Sequence, residues 1–141
     1  MHRFSSIVLV DGRGWILLQE RDEHPVIDPE KWGFVGGMVE EGEDYRAAAY
    51  RELVEETGVR LIEGLQLHGT FTVFHEHCGD DDEFQLWVMR SALTDDDIVV
   101  GEGRQIVFVD PAEVPALELT ASATVALQAF LESDRYRELI A

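Results

Sequence analysis

Three carboxylates, Glu52, Glu55 and Glu56, crowd into one stretch of helical periodicity that runs from Asp44 to Thr57. On a wheel turning about 100° per residue with Glu52 at zero, Glu55 falls at about −60° and Glu56 at about +40°, so all three share one face. Ala48 lies in the same arc and leaves room there, while Leu53, Tyr50, Val54 and Ala47 fall on the opposite side, which is expected to face the core. Clustered carboxylates repel one another and raise each other's pKa. A helix gains no packing from that arrangement, but such a face can hold a hard cation such as Mg²⁺, which takes oxygen ligands. Gly36-Gly37 permits a tight turn whose backbone carbonyl can face the same ion. Glu43 precedes the helix, where a carboxylate is favoured by the dipole. Arg51, at i,i+4 from Glu55 and within reach of Glu43, partly neutralises the cluster.

The elements that must position this helix follow from pattern and punctuation. Phe4 to Val10 and Trp15 to Gln19 read as a hairpin around Asp11-Gly12-Arg13-Gly14. Glu20 to Lys31, charged and holding Pro25 and Pro29, reads as an exposed loop of the kind that contacts ligands. Trp32 to Val39 reads as a short strand and turn interrupted by glycine, and Gly58 as the stop of the helix. Leu65 to Phe74 and Glu83 to Arg90 read as strands flanking the polar segment His75 to Asp82. Thr94 to Arg104 reads as an acidic loop and Gln105 to Val109 as a strand. Thr120 caps a second helix reaching Ser133, with Val125, Ala126, Ala129 and Phe130 as its apolar face. Strands and helices mixed in this way predict an α/β sheet packed between helices.

Composition narrows the partners. The 141 residues, 45% of them hydrophobic, fit one globular domain spanning 1–141. A net charge of −18 opposes nucleic acid and anionic membrane as partners, because both are held by Lys and Arg. An anionic substrate would therefore need positive charge supplied locally, and a divalent cation is the natural source. Of the 11 basic residues only Lys31 is a lysine, which fits either a codon bias toward Arg or adaptation to high salt. Ile7 to Val10 is too short an apolar run for a signal-peptide core, and lone Cys78 cannot form an internal disulfide, so a cytoplasmic setting is expected.

The run Gly37-x5-Glu43-x7-Arg51-Glu52-Leu53-x-Glu55-Glu56-x-Gly58-Val59 resembles the Nudix box without a departure. The resemblance implies an α/β/α sandwich with a mixed β-sheet. It also implies hydrolysis of a nucleoside diphosphate linked to another moiety, dependent on Mg²⁺ (with Mn²⁺ as substitute). By the same resemblance Glu52, Glu55, Glu56 and the Gly36 carbonyl hold metal, and Glu52 leads as general base. Arg51 and Glu56 complete the catalytic set, Gly37 binds the substrate, and Arg21 binds a phosphate or base or, with equal weight, is a solvated surface residue. Glu102, in Gly101-Glu102-Gly103, is the candidate fourth carboxylate ligand or alternative base, weighed equally against a solvated loop acid. The partner implied is a small nucleotide, and family members are frequently homodimers.

Marks of particular substrate groups are missing. No Pro stands near Phe74 and His75, no Tyr near Glu76 and His77, and no Asn in Leu119-Thr120-Ala121-Ser122. Val35 replaces the Pro common before the paired glycines. Nucleoside triphosphates and nucleotide sugars stay open as substrates. Trp32 and Phe34 are expected in core or rim packing rather than as stacking platforms. His75-Glu76-His77-Cys78 makes a poor zinc site, and a surface or substrate-loop role is expected instead. Asp80-Asp81-Asp82 and Asp95-Asp96-Asp97 are expected as solvated turns. Two competing classes use the same fold. One is a nucleotide sensor, which need not keep the full acid set. The other is an allylic diphosphate isomerase, which would need Cys78 as a reactive thiol.

Overall fold

Strand β1 (Arg3–Val10) is buried on both faces from Ser5 onward, which makes it the centre of the sheet. The computed structural model describes residues 1–25, 27–75 and 79–141. β1 runs parallel to β6 (Asp80–Arg90) and β6 antiparallel to β5 (Gln66–His75). On its other edge β1 meets β2 (Ile16–Glu20) at Val10↔Ile16, after a turn in which the Asp11 carboxylate accepts the N–H groups of Arg13 and Trp15. The two strands then part. β4 (Val35–Met38) pairs with the β1 side of the gap and β3 (Trp32–Gly33) with the β2 side. β7 (Gln105–Val109) covers the far edge of β2. The gap between β1 and β2, bridged by residues 32–38, is where the site forms.

Alternation along the strands sends side chains to two apolar layers. One contains Ile7, Leu9, Leu17, Trp87 and Phe108 and packs on Ala49 and Leu53 of α1 (Tyr45–Thr57). The other contains Val8, Leu18, Phe84 and Leu86 and packs on α2 (Ala121–Leu131), with Tyr136 of α3 (Asp134–Ile140) closing its end. The result is the α/β/α sandwich with a mixed sheet that was expected. Among the described residues no helix is long and apolar enough to cross a membrane.

Several expectations need correction. α3 was not anticipated. Seven residues rich in charge carry little periodicity, and the helix is held by one buried aromatic, Tyr136, whose hydroxyl bonds the Gly14 carbonyl. The apolar face of α2 is Ala123, Ala126, Leu127 and Phe130, while Val125 and Ala129 are exposed. Asp82 is not in a solvated turn: β6 begins at Asp80, and Asp82 faces inward with no exposed surface. Asp95 to Asp97 are exposed as expected but form a 3-10 turn, in which Asp95 accepts the Phe108 N–H at 2.8 Å.

Candidate active site

α1 starts at the Asp44 cap, whose carboxylate accepts the Ala47 N–H at 2.7 Å, and stops at Gly58, whose left-handed φ of 74° lets its N–H return to Val54. Between those caps the buried positions are Ala48, Ala49, Leu53, Glu56 and Thr57. The acid face is therefore not opposite the core face; the two overlap, with Glu56 in the middle of the buried arc. Exposed Ala47 belongs to the solvent side instead. This overlap aims Glu56 into the gap between β1 and β2.

Glu56 is 5% exposed. It accepts from the Gln19 side-chain amide at 2.7 Å and from the Gly36 N–H at 3.3 Å. Burial above all, and then the charges of Glu52 and Glu102, push its carboxyl up to about 8 despite those two donors. Burial also raises Glu52, against the pull of Arg51. Gly37 packs on Glu52 so closely that a Cβ there would stand 2.5 Å from the carboxylate, and a Cβ on Gly36 would stand 2.1 Å from the Ser5 carbonyl oxygen. Both glycines are needed for the turn to pass between strand and helix.

Arg51 is the only cation in direct contact with the box acids among the described residues. Its guanidinium donates to Glu43 at 2.8 and 2.9 Å, to Glu52 at 2.9 Å, to Glu55 at 3.1 Å and to the Met38 carbonyl at 3.0 Å. Hydrogen bonds from Arg51 outweigh burial and hold the Glu43 carboxyl down to about 2. The Glu55 side chain is 56% exposed and reaches Arg51 from the outside. Glu102 arrives from a loop docked on the end of α1, where the Gly101 N–H donates to the Glu56 carbonyl at 2.8 Å. A Cβ on Gly101 would lie 2.2 Å from the Glu55 carbonyl oxygen, so this contact requires glycine. Glu102 faces the same cavity as Glu56, near enough for its charge to raise both Glu52 and Glu56.

That cavity holds about 250 Å³. Glu56, Gln19, Gly36, Gly37 and Glu102 line its α1 side; Phe4, Phe34, Phe84, His75 and Thr120 line its α2 side. Arg21 also lines it. Its guanidinium donates to the Ile27 carbonyl at 3.1 Å, while its buried Nε has no partner among the described residues. Arg21 is thus a half-buried cation facing a cavity rather than a solvated surface residue. Phe34 is buried in the cavity wall and Trp32 packs at the edge of the α2-side layer.

Glu52, Glu56, Gly36 and Gly37 lie close together, exposed Glu102 lines the same cavity from its loop, and Glu55 stands at their outer edge. Two positions that line the cavity were missed. Gln19 is 3% exposed and ties Glu56 to the Glu102 carbonyl; a polar residue at a core-facing strand position was its signal. Asp28, at a left-handed φ of 47°, lines the cavity and accepts the Ala121 N–H at 2.7 Å, pinning the 21–31 loop to the start of α2. A tighter trio of potential ligand atoms, within 4.8 Å of one another, occurs elsewhere: Asp22, Glu23 and His24 in that loop. The box acids are less closely gathered because Arg51 draws Glu52 and Glu55 while Gln19 and Gly36 hold Glu56. Of the His75 to Cys78 segment, only His75 lies within the described residues; Glu76, His77 and Cys78 lie outside them.

The family model described as NUDIX domain matches residues 2–130. An uncharacterised Nudix hydrolase of Yersinia pestis is 41% identical over 78 residues, 55% of this chain and 42% of that protein. An RNA pyrophosphohydrolase of Caulobacter vibrioides is 47% identical over 53 residues, 38% of this chain and 28% of that one. The chain thus spans less than half the length of these curated relatives. Among solved structures, the MutT protein of Methanosarcina mazei superimposes with a TM-score of 0.77 at 19% identity, over 97% of this chain and 93% of that chain, a likeness of fold.

Proposed function

The chain belongs to the Nudix family, and from that premise we propose that it hydrolyses the pyrophosphate linkage of a nucleoside diphosphate joined to another moiety. The product is a nucleoside monophosphate. The observation that carries this reading is Glu56: a carboxylate buried against Glu52 and Glu102, at the mouth of a cavity, with only two neutral hydrogen-bond donors to offset the charge. Such a group is unfavourable in an isolated fold and becomes favourable beside a bound cation.

The residues fit a divalent ion of the hard type. The candidate ligands on the α1 side are all oxygen, from Glu56, Glu102 and Gly36 at the cavity, Glu52 beside them and Glu55 at the outer edge, which suits Mg²⁺ and admits Mn²⁺. When bound, the ion polarises phosphoryl oxygen and lowers the pKa of water. The chain's own groups supply the rest. Arg51 fixes the Glu52 carboxylate from one side, leaving its other oxygen to accept the proton of an attacking water. As water oxygen bonds to phosphorus, the anhydride P–O bond breaks and the second phosphate leaves. Arg21, a half-buried cation lining the cavity, binds a substrate phosphate, and Gly37 presents backbone at the same cavity wall.

The names of the Caulobacter and related proteins favour a second substrate class, RNA bearing a pyrophosphate. The charge of −18 weighs against a long polyanion, so a small nucleotide stands first. The test is a panel of nucleoside triphosphates, nucleotide sugars and 5′-triphosphorylated oligonucleotides, with products resolved by mass spectrometry. Release of nucleoside monophosphate that requires Mg²⁺ and is lost in Glu56→Gln supports the proposal. Turnover unaffected by chelator or by that substitution contradicts it.

A further inference from the structure

A second built group faces the same cavity from the other side of the sheet. Asp82 has no exposed surface, and His75 is 9% exposed. In the β5–β6 register His75 lies opposite Asp80, and Asp82 is the next residue along the same face, within diagonal reach. The Asp82 carboxylate meets His75 Nδ1 at 2.5 Å through one oxygen and accepts the His2 backbone N–H at 2.7 Å through the other. The His2 ring stands 3.3 Å from that second oxygen. A carboxylate used on both oxygens as an acceptor keeps the proton on Nδ1, which leaves Nε2 as the nitrogen available to a ligand. His75 lines the cavity whereas Asp82 stands behind it, and the Phe4 ring packs edge-on against the imidazole at 5.8 Å between centroids.

The cavity is chemically graded. Glu56 and Glu102 line the α1 side, which suits the metal and phosphates, while Phe4, Phe34 and Phe84 belong to the α2-side layer, which suits a flat ring. An oriented imidazole among those rings meets the polar rim of such a ring. We propose that His75, held by Asp82, determines specificity by hydrogen-bonding through Nε2 to the polar edge of the nucleobase of a bound nucleotide. This rests on the nucleotide reading above and names the residue that would read the base. The same carboxylate also anchors the chain start through His2, so a purely structural role is the competing explanation, and the two differ in what they do to base selectivity.

The experiment is calorimetric titration of the full chain, with Mg²⁺, using the α,β-methylene analogues of ATP, GTP, CTP and UTP. A site that hydrogen-bonds a base edge should separate the best and worst of the four by about tenfold or more. His75→Phe should flatten that ranking to within about threefold, chiefly by weakening the best-bound base. Asp82→Asn should shift the ranking as well, and the ¹⁵N resonances of His75 should lose the Nδ1-bound proton pattern. If His75→Phe does not fold, His75→Asn decides by the same criterion. The proposal is overturned if His75→Phe weakens all four alike with their ratios intact, or if the wild type shows no ranking. Wild-type protein that binds none of the four overturns the nucleotide reading itself, and this inference with it.

Discussion

Glu56 on the α1 side of the sheet and Asp82 on the α2 side are both almost fully withdrawn from water, yet their carboxyls are shifted in opposite directions. Burial pushes both up. At Asp82 the His75 hydrogen bond, the His2 amide and the two imidazoles more than reverse it, so the group ends below its ordinary value. At Glu56 the neighbours include two more anions, Glu52 and Glu102, and the group ends at about 8. Burial alone therefore does not distinguish a settled acid from a poised one. The neighbours do: Asp82 is paired with two imidazoles and a backbone amide, while Glu56 has two neutral donors against the charges of Glu52 and Glu102.

The largest expected effect separates the two acids by sign. Glu56→Gln should reduce turnover by about 10²-fold or more, as removal of a group acting at the reacting phosphate does, yet raise the melting temperature of metal-free protein near pH 8 by removing the repulsion. Asp82→Asn should instead lower the melting temperature, by a loss of about 1–3 kcal/mol for an unmatched buried partner. Calorimetric melts of both variants beside turnover measurements check the pair. Should Asp82→Asn be the stabilising one, the distinction is wrong.

The pH dependence should follow the same division. Glu56 titrates at about 8 when folded against an ordinary 4.5, so the folded protein holds more protons than the unfolded chain between those values. Its contribution is fully present below pH 4.5 and is lost as pH rises toward 8. Asp82 works the other way: its contribution is present above its ordinary 3.8 and is lost as pH falls through its lowered folded value. Melting curves in chelator from pH 5 to 9 should therefore decline on the alkaline side, and added Mg²⁺ should remove the decline. A decline that Mg²⁺ leaves untouched assigns it to other groups.

Smaller effects test the supports. Leu53→Ala, beneath the acid face, should cost about 2–5 kcal/mol by opening a cavity under α1, with activity falling alongside stability in denaturant titrations. Asp44→Ala, at the opposite end of α1 from Glu55 and Glu56, should cost about 1 kcal/mol and leave turnover nearly unchanged.

The same contrast explains what could be read in the chain beforehand. Glu52, Glu55, Glu56 and Arg51 are neighbours along one helix, so spacing alone put them on one face, and Asp44 and Gly58 marked the helix ends by residue type. The buried side of that helix was misplaced because the wheel treated charge as solvent-facing, whereas Glu56 is buried at the gap between β1 and β2. His75 and Asp82 meet only through the register of β5 and β6, which no local pattern encodes, and three consecutive aspartates read as a turn until β6 carried the third inward. Gln19 and Asp28 were hidden for the same reason, since each acts through partners 37 or more positions away in the chain. α3 lacked the length and periodicity that would announce it.

The most direct test is a crystal soaked in Mn²⁺ with a non-hydrolysable nucleotide analogue, read by anomalous scattering. The predicted result is manganese between Glu52 and Glu56, facing the diphosphate, with the Gln19 contact to Glu56 retained. Manganese found only at Asp22, Glu23 and His24, or none at the box acids at saturating concentration, would contradict the account.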